Sequence, residues 1–176
     1  MKMKKIVAMV GLLATVAIGV AGCGSESGQD DVADTKMAEF AGQKYTAEDG
    51  SVMYFEEDGE FFWYQSDENH DDNYYSGEYE FYFAEDAVDY IINDLTQFGV
   101  TQEKMDAYFE MNAGDEFYNE ENFCCMVLDN KVFMMDGQKT ESDDGSMLSY
   151  YMGFYAEGYF DAANMSTGNY VGFTKN

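Results

Sequence analysis

The stretch YYSGEYEFYFA, residues 74–84, alternates between two kinds of side chain and decides how the chain folds. One set is mostly aromatic and comprises Tyr75, Gly77, Tyr79, Phe81 and Phe83. The other set is mostly polar and comprises Ser76, Glu78, Glu80 and Tyr82. A period of two residues is typical of a half-buried strand in an antiparallel sheet. The stretch therefore predicts a long strand with an aromatic face turned towards a core.

Shorter runs with strand character lie on both sides of this strand. Upstream, residues 51–55 and 60–65 flank an Asp-Gly pair at residues 58–59, which favours a tight hairpin. Downstream, the predicted strands are residues 123–128, 131–135, 147–156, a short strand starting at Phe160, and residues 170–174. Polar loops are predicted at residues 67–73 and 136–145, with a turn at Asp129-Asn130 and a bulge or bend at Gly153.

Between residues 85 and 98 the apolar period lengthens to that of a helix. The apolar stripe comprises Ala87, Val88, Ile91, Ile92, Leu95 and Phe98. Asp86 is a suitable N-cap, and Thr101 is predicted to cap a second helix over residues 102–112. The sequence therefore predicts a mainly β (α+β) fold. Its core is an antiparallel β-barrel-like sheet of seven to eight strands, with a helical hairpin inserted at residues 85–112.

Acidic residues dominate the charge, since 35 Asp and Glu stand against nine basic residues. Nucleic-acid binding is excluded as a function, because lysines and arginines are needed to neutralise phosphates. Disorder is excluded as well, because disordered chains are poor in aromatics and this chain has 14 Phe and 15 Tyr. Residues 42–176 are long enough for one globular domain with its own core.

The first 23 residues have the organisation of an export signal. Three lysines, Lys2, Lys4 and Lys5, precede an uncharged apolar run over residues 6–20, and Val20-Ala21-Gly22-Cys23 closes the segment. This pattern resembles the signal peptide and lipobox of bacterial lipoproteins. The alternative is an uncleaved anchor helix, although the apolar run is short for a membrane span.

The lipoprotein resemblance implies a location and a chemical modification. Residues 1–22 would be removed as a lipoprotein signal peptide, and Cys23 would carry a diacylglyceryl group at the new N-terminus. Residues 23–41 would form a flexible acidic tether on the extracytoplasmic face of a cell membrane. Cleavage would leave six lysines against 35 carboxylates, a formal charge of −29. Acyl chains, rather than electrostatic attraction, would then supply the contact with the lipid bilayer.

The start of the domain resembles small lipocalin-like lipoprotein domains. The resemblance is carried by residues 42–45 (GQKY), 49–51 (DGS) and 58–63 (DGEFFW). It implies a barrel whose mouth takes a ligand. The helical pair at residues 85–112 departs from an uninterrupted eight-stranded barrel, and it would cap one end or cover one open face. The candidate ligand-binding residues are aromatic: Trp63, Tyr75, Tyr79, Tyr150 and Phe154. The alternative for each ring is that it fills the core of the barrel.

The acidic stretch after Gln65 is a candidate calcium site. Asp67, Asn69 and Asp71 occupy positions 1, 3 and 5 of an EF-hand-like spacing, and Glu78 occupies position 12. Asp72 stands where such a loop needs glycine, so a solvated acidic loop is the alternative. No cofactor is required by the sequence, and calcium is the possible exception.

No set of catalytic residues emerges from the sequence. His70 is the only histidine, and no serine or cysteine nucleophile with a suitable motif lies near it. Glu78 and Glu80 share one face of the predicted strand, which leaves a small hydrolase with paired carboxylates as an alternative. Cys124 and Cys125 are predicted to be two buried free thiols, because their spacing fits neither a CxxC motif nor a metal site.

These patterns favour a lipid-anchored, non-enzymatic binding or interaction module. Its partner would be a small apolar or sugar-like ligand, or an envelope protein of basic character. A calcium-stabilised structural or adhesive surface module is the second hypothesis, and a small hydrolase is the third.

Overall fold

The computed structural model describes residues 36–142 and 147–176. The strands in this part of the chain are β1 (Gln43–Ala47), β2 (Val52–Phe55), β3 (Glu60–Ser66), β4 (Asn69–Phe83), β5 (Phe123–Met135), β6 (Gln138–Glu141), β7 (Leu148–Ala156), β8 (Tyr159–Asn164) and β9 (Tyr170–Lys175). Helices α1 (Ala84–Asn93) and α2 (Gln102–Met111) lie between β4 and β5.

Eight antiparallel strands close into a barrel in the order β1-β2-β3-β4-β5-β7-β8-β9. The first and last strands pair, with Thr46 opposite Thr174, and this pairing closes the ring. Strand β6 lies outside the barrel and pairs with the C-terminal part of β5. Closure satisfies the backbone groups that an open sheet leaves unpaired at its edges. The predicted mainly β, barrel-like fold with a helical insertion is confirmed.

Aromatic side chains fill the inside of the barrel. The largest of the inward-facing residues are at most 7% exposed: Tyr45, Phe55, Phe61, Tyr79, Phe81, Phe83, Tyr155, Phe160 and Phe173. The aromatic face predicted for β4 contributes three of these rings to the core. The alternation in the sequence therefore identifies correctly which side of β4 is buried.

Helical residues 36–40 close one end of the barrel. Phe40 is 0% exposed, and its ring centroid lies 4.1 Å from that of Phe81 and 4.3 Å from that of Tyr155. The folded part therefore begins no later than Lys36, inside the stretch predicted as a tether. Cys23, the predicted signal peptide and the rest of the predicted tether lie outside the described residues.

The helical insertion packs on the outer side of β5 and β7. Four apolar side chains of the predicted stripe join Cys125, Val127 and Phe154 in a second core cluster: Ala87, Val88, Ile91 and Leu95. Ridges of apolar side chains on one helix face are buried in this way because the sheet offers them a matching apolar surface. Among the described residues, no helix combines the length and the apolar character that crossing a membrane requires.

The ends of the helices differ in part from the prediction. Thr101 caps α2 as predicted, since its side chain accepts a hydrogen bond from the backbone N–H of Lys104. Phe83, not Asp86, occupies the N-cap of α1, because Ala84 with φ of 49° turns the chain directly out of β4 into the helix. Helix α1 ends at Asn93, and a 3₁₀ turn (Thr96–Phe98) carries the rest of the predicted helix.

Three segments predicted as loops or turns are largely strand. Strand β5 continues through Asp129-Asn130, and Lys131 is the extra residue of a bulge opposite β4. The loop predicted at residues 67–73 shrinks to a turn at residues 67–68, and β6 occupies part of the loop predicted over 136–145. Pairing with long neighbouring strands stabilises extended backbone in sequences whose own propensity for strands is low.

Two hairpins project beyond the barrel at the end away from Phe40. The hairpin of β3 and β4 continues past Tyr64, where the pairing of β2 with β3 ends. The hairpin of β5 and β6 lies beside it, and the backbone N–H of Asp136 donates to the side-chain oxygen of Asn73 at 2.9 Å. The two hairpins therefore form one four-stranded extension of the barrel wall.

Candidate functional site

An aromatic surface lies on the outside of the barrel wall. Its members point away from the core on adjacent strands: Tyr54, Phe62, Tyr64, Tyr74, Val132 and Met134. The register arranges them in two rows. One runs from Tyr54 through Phe62 and the polar Ser76 to Val132, and the other runs from Tyr64 through Tyr74 to Met134. We call these six residues the outer aromatic face.

The rings of the outer aromatic face are half-buried and contact one another. The ring centroid of Tyr64 lies 5.9 Å from that of Tyr54, 5.6 Å from that of Tyr74 and 6.0 Å from that of Phe62. The planes of Phe62 and Tyr64 differ by only 4°. These separations are typical of favourable aromatic pairs. Since the helices pack on β5 and β7 instead, they leave this face open to solvent.

Polar groups border the outer aromatic face near the turn between β3 and β4. The side chain of Asp67 accepts a hydrogen bond from the Lys44 ammonium at 2.5 Å and another from the Tyr54 hydroxyl at 3.0 Å. These two hydrogen bonds, that of Lys44 first, lower the pKa of the Asp67 carboxyl. The His70 ring stacks on Tyr64 with centroids 3.9 Å apart. The border therefore holds hydrogen-bond donors and acceptors in fixed positions beside the rings.

Two further lysines border the same face, and each forms an ion pair with a neighbouring carboxylate. The Lys131 ammonium lies 2.6 Å from the Asp129 carboxylate and 3.6 Å from that of Glu78. Lys139, which stands opposite Met134, pairs with Glu141. In a chain with a formal charge of −26, these ion pairs reduce the negative charge around the outer aromatic face.

The five predicted ligand-binding residues are not brought together. Trp63 and Tyr75 lie near the barrel mouth with ring centroids 6.2 Å apart, and Trp63 donates to the Ser51 hydroxyl at 3.1 Å. Tyr79 is inside the barrel and donates to the backbone oxygen of Glu56. Tyr150 and Phe154 lie on the outer side of β7, in the cluster under the helices. The five side chains therefore line no common cavity.

The predicted calcium ligands are likewise apart. The Asp67 carboxylate accepts a hydrogen bond from the Lys44 ammonium, and the Asn69 amide donates one to the Asp72 carboxylate at 2.8 Å. Asn69 and Glu78 are nine residues apart on the extended strand β4, which separates them by roughly 30 Å. The side chain of Asp71 lies outside what the structure describes. Among the described residues, no group of three or more His, Cys, Asp or Glu side chains could hold a metal ion.

Cys124 and Cys125 point to opposite sides of β5. Cys124 belongs to the barrel core and Cys125 to the cluster under the helices, and both are buried free thiols as predicted. Burial raises the pKa of the Cys124 thiol, and it raises that of Cys125 to about 12. Thiols held in this protonated state are poor nucleophiles and poor metal ligands.

A shallow cleft of about 500 Å³ lies at the barrel end that Phe40 closes. Glu39, Tyr159 and Lys175 are among the residues that line it. On one side Tyr155 donates to the Glu39 carboxylate at 2.8 Å, and its hydroxyl lies 3.3 Å from that of the buried Tyr45. Burial raises the pKa of Tyr45 to about 12, so this pair of hydroxyls stays protonated at neutral pH. The chain of hydrogen bonds fixes residues 36–40 to the barrel.

The sequence alone does not identify the members of the outer aromatic face. In the structure Tyr54 and Phe62 alternate with buried neighbours along β2 and β3. Residues 61–64 are all aromatic, however, so no alternation of side-chain type in the sequence marks Phe62 and Tyr64 as outward-facing. What the sequence lacks is the register that sets them beside Tyr74 and Met134. Comparisons of the chain with protein-family models, with curated proteins and with solved structures found no match.

Proposed function

We propose that this chain is a membrane-tethered, extracytoplasmic lipoprotein whose barrel is a non-enzymatic binding module. The outer aromatic face is its binding surface. One observation carries this proposal: four aromatic rings and two apolar side chains lie on the same outer side of four adjacent strands, and the helices, which pack on the outer side of β5 and β7, do not cover them. Contiguous apolar side chains that remain partly accessible to solvent are typical of interaction sites.

The position of residues 36–40 in the barrel supports this arrangement on a membrane. Residues 36–40 close one end of the barrel, and the extension that carries Tyr64 and Tyr74 lies at the other end. A lipid on Cys23 would be joined to Lys36 by a chain segment of at most about 45 Å. The tether would therefore join the barrel at the Phe40 end, away from the extension that carries Tyr64 and Tyr74.

The lipid anchor predicts how the protein partitions between detergent and water. The full chain, expressed in a bacterial host that processes lipoproteins, is expected to enter the detergent phase of a Triton X-114 extract. Cys23→Ser removes the thiol that accepts the lipid, so this variant is expected in the aqueous phase. Mass spectrometry of both proteins serves as the control for cleavage. An unmodified Cys23 with the leader still attached contradicts the anchor.

The binding surface predicts retention on the cell envelope. The mature chain carrying Cys23→Ser is expected to sediment with envelope fragments of the producing cell. Tyr64→Ala combined with Tyr74→Ala is expected to reduce the bound fraction at least tenfold, because two of the four rings are lost. The matched control is Tyr170→Ala, since Tyr170 is 78% exposed and lies on β9. Equal retention of all three proteins contradicts a role for the face, and hydrolase turnover that requires His70 contradicts the non-enzymatic assignment.

A further inference from the structure

The outer aromatic face carries features that select one class of ligand. The first is its apolar surface, formed by the two cross-strand rows that contain Tyr54, Phe62, Tyr64 and Tyr74. Phe62 and Tyr64 follow each other on the same side of β3 with nearly parallel planes. With the His70 ring stacked on Tyr64, they form a set of three similarly oriented rings along the strand.

The second feature is the local balance of charge. Lys44, Lys131 and Lys139 are three of the six lysines that follow the predicted cleavage site, and all three border this face in ion pairs. Residues 84–122, which include both helices, hold eleven carboxylates and a single lysine. A cationic partner would be drawn to that helical side, and the overall charge repels anionic ligands. The balance of charge at the outer aromatic face thus favours a neutral ligand.

The third feature is the mixed hydrogen-bonding character of the border. Asp67 accepts from both Lys44 and the Tyr54 hydroxyl, and the imidazole of His70 lies over one face of the Tyr64 ring. A ligand hydroxyl both donates and accepts, so it can bond to a carboxylate and an ammonium in the same place. A saccharide ring combines such hydroxyls with an apolar face of C–H groups. The slightly positive hydrogens of that face are attracted to the negative face of an aromatic ring.

We propose that the outer aromatic face binds a neutral carbohydrate, with Tyr74 and the stacked pair of His70 and Tyr64 contacting the sugar rings and Asp67 and Lys44 bonding to hydroxyls. This inference rests on the proposed binding function and names its ligand class. At Tyr64 the sugar contacts the outer side of the His70 ring, because that ring already lies over the tyrosine. The role of Phe62 and Tyr54 is to extend the stacking surface across β2 and β3.

Affinity electrophoresis of the mature chain carrying Cys23→Ser tests the inference. The gels contain one neutral polysaccharide each: a β-1,3-glucan, a β-1,4-glucan, an α-glucan or a mannan, with polygalacturonate as the anionic comparison. At least one neutral polysaccharide is expected to retard the protein, and 1 M salt is expected to leave the retardation unchanged. Tyr64→Ala and Tyr74→Ala are each expected to weaken binding roughly three- to tenfold. Tyr170→Ala is expected to bind like the parent protein.

Further variants separate loss of stacking from loss of folding. Tyr64→Phe keeps the ring and is expected to bind nearly as the parent does, whereas Tyr64→Leu keeps the apolar volume and is expected to bind like Tyr64→Ala. Retention on envelope fragments without retardation by any of the polysaccharides overturns the carbohydrate and leaves the proposed function standing. Envelope retention that salt abolishes indicates a charged protein partner and overturns it too. A dimer that Tyr74→Ala dissociates assigns the face to a second copy and overturns it as well.

Discussion

Replacing Phe40 with alanine is expected to lower the free energy of unfolding by about 3–5 kcal/mol, the range for a fully buried phenylalanine. The ring is 0% exposed and lies among the rings of Tyr45, Phe55, Phe81 and Tyr155. Its removal leaves a cavity lined by stiff aromatic side chains, which cannot collapse to fill it. Alanine suits the helical backbone at this position, so the loss reports packing alone.

Urea denaturation of residues 23–176 with Cys23→Ser measures this loss. Tyr170→Ala serves as the control, because a side chain that is 78% exposed is expected to change the free energy of unfolding by less than about 0.5 kcal/mol. Phe40→Leu, which restores most of the apolar volume, is expected to recover more than half of the loss. A loss below about 1 kcal/mol for Phe40→Ala would show that residues 36–40 do not hold the end of the barrel in solution.

Gly153→Ala is expected to destabilise the barrel by roughly 3 kcal/mol or more, the upper range for overpacking a core. A Cβ at this position would lie 2.0 Å from the backbone oxygen of Asp161 and 2.5 Å from the Cα of Ala162. Both are backbone atoms of β8, so the strand itself would have to move. The prediction of a bulge at Gly153 is wrong, since its pairing with β5 and β8 is regular. The glycine is needed because two backbones approach closely there.

Gly172→Ala is the matched control for this prediction. Its Cβ would meet the hydroxyl oxygen of Tyr159 at 2.8 Å, and that atom is the far end of a flexible side chain. We expect a loss of about 1 kcal/mol or less, because the tyrosine can rotate away. Thermal and urea unfolding of the two variants, compared in one buffer, measures the difference. Equal losses for Gly153→Ala and Gly172→Ala contradict the close approach of β7 and β8.

The elements that the sequence predicts well are those whose pattern is local. The alternation over residues 74–84 identifies the buried side of β4, and the helical stripe from Ala87 to Leu95 identifies the buried side of the insertion. Thr101 is recognised as a cap because capping depends on a few adjacent residues. The polar segments were harder to predict, since β6 and the first part of β4 are extended only because a neighbouring strand pairs with them.

The sequence by itself determined the balance of strand and helix, the aromatic core and the acidic charge. It also carries a segment that resembles a lipobox, and both that assignment and the modification of Cys23 stay predictions. Only the tertiary structure decided which rings belong together. It sends Tyr79 into the barrel and Phe154 under the helices, and it brings Tyr54 and Tyr74 to one outer surface. The physical reason is that alternation fixes which side of a strand a residue occupies, whereas cross-strand register and barrel closure fix its neighbours.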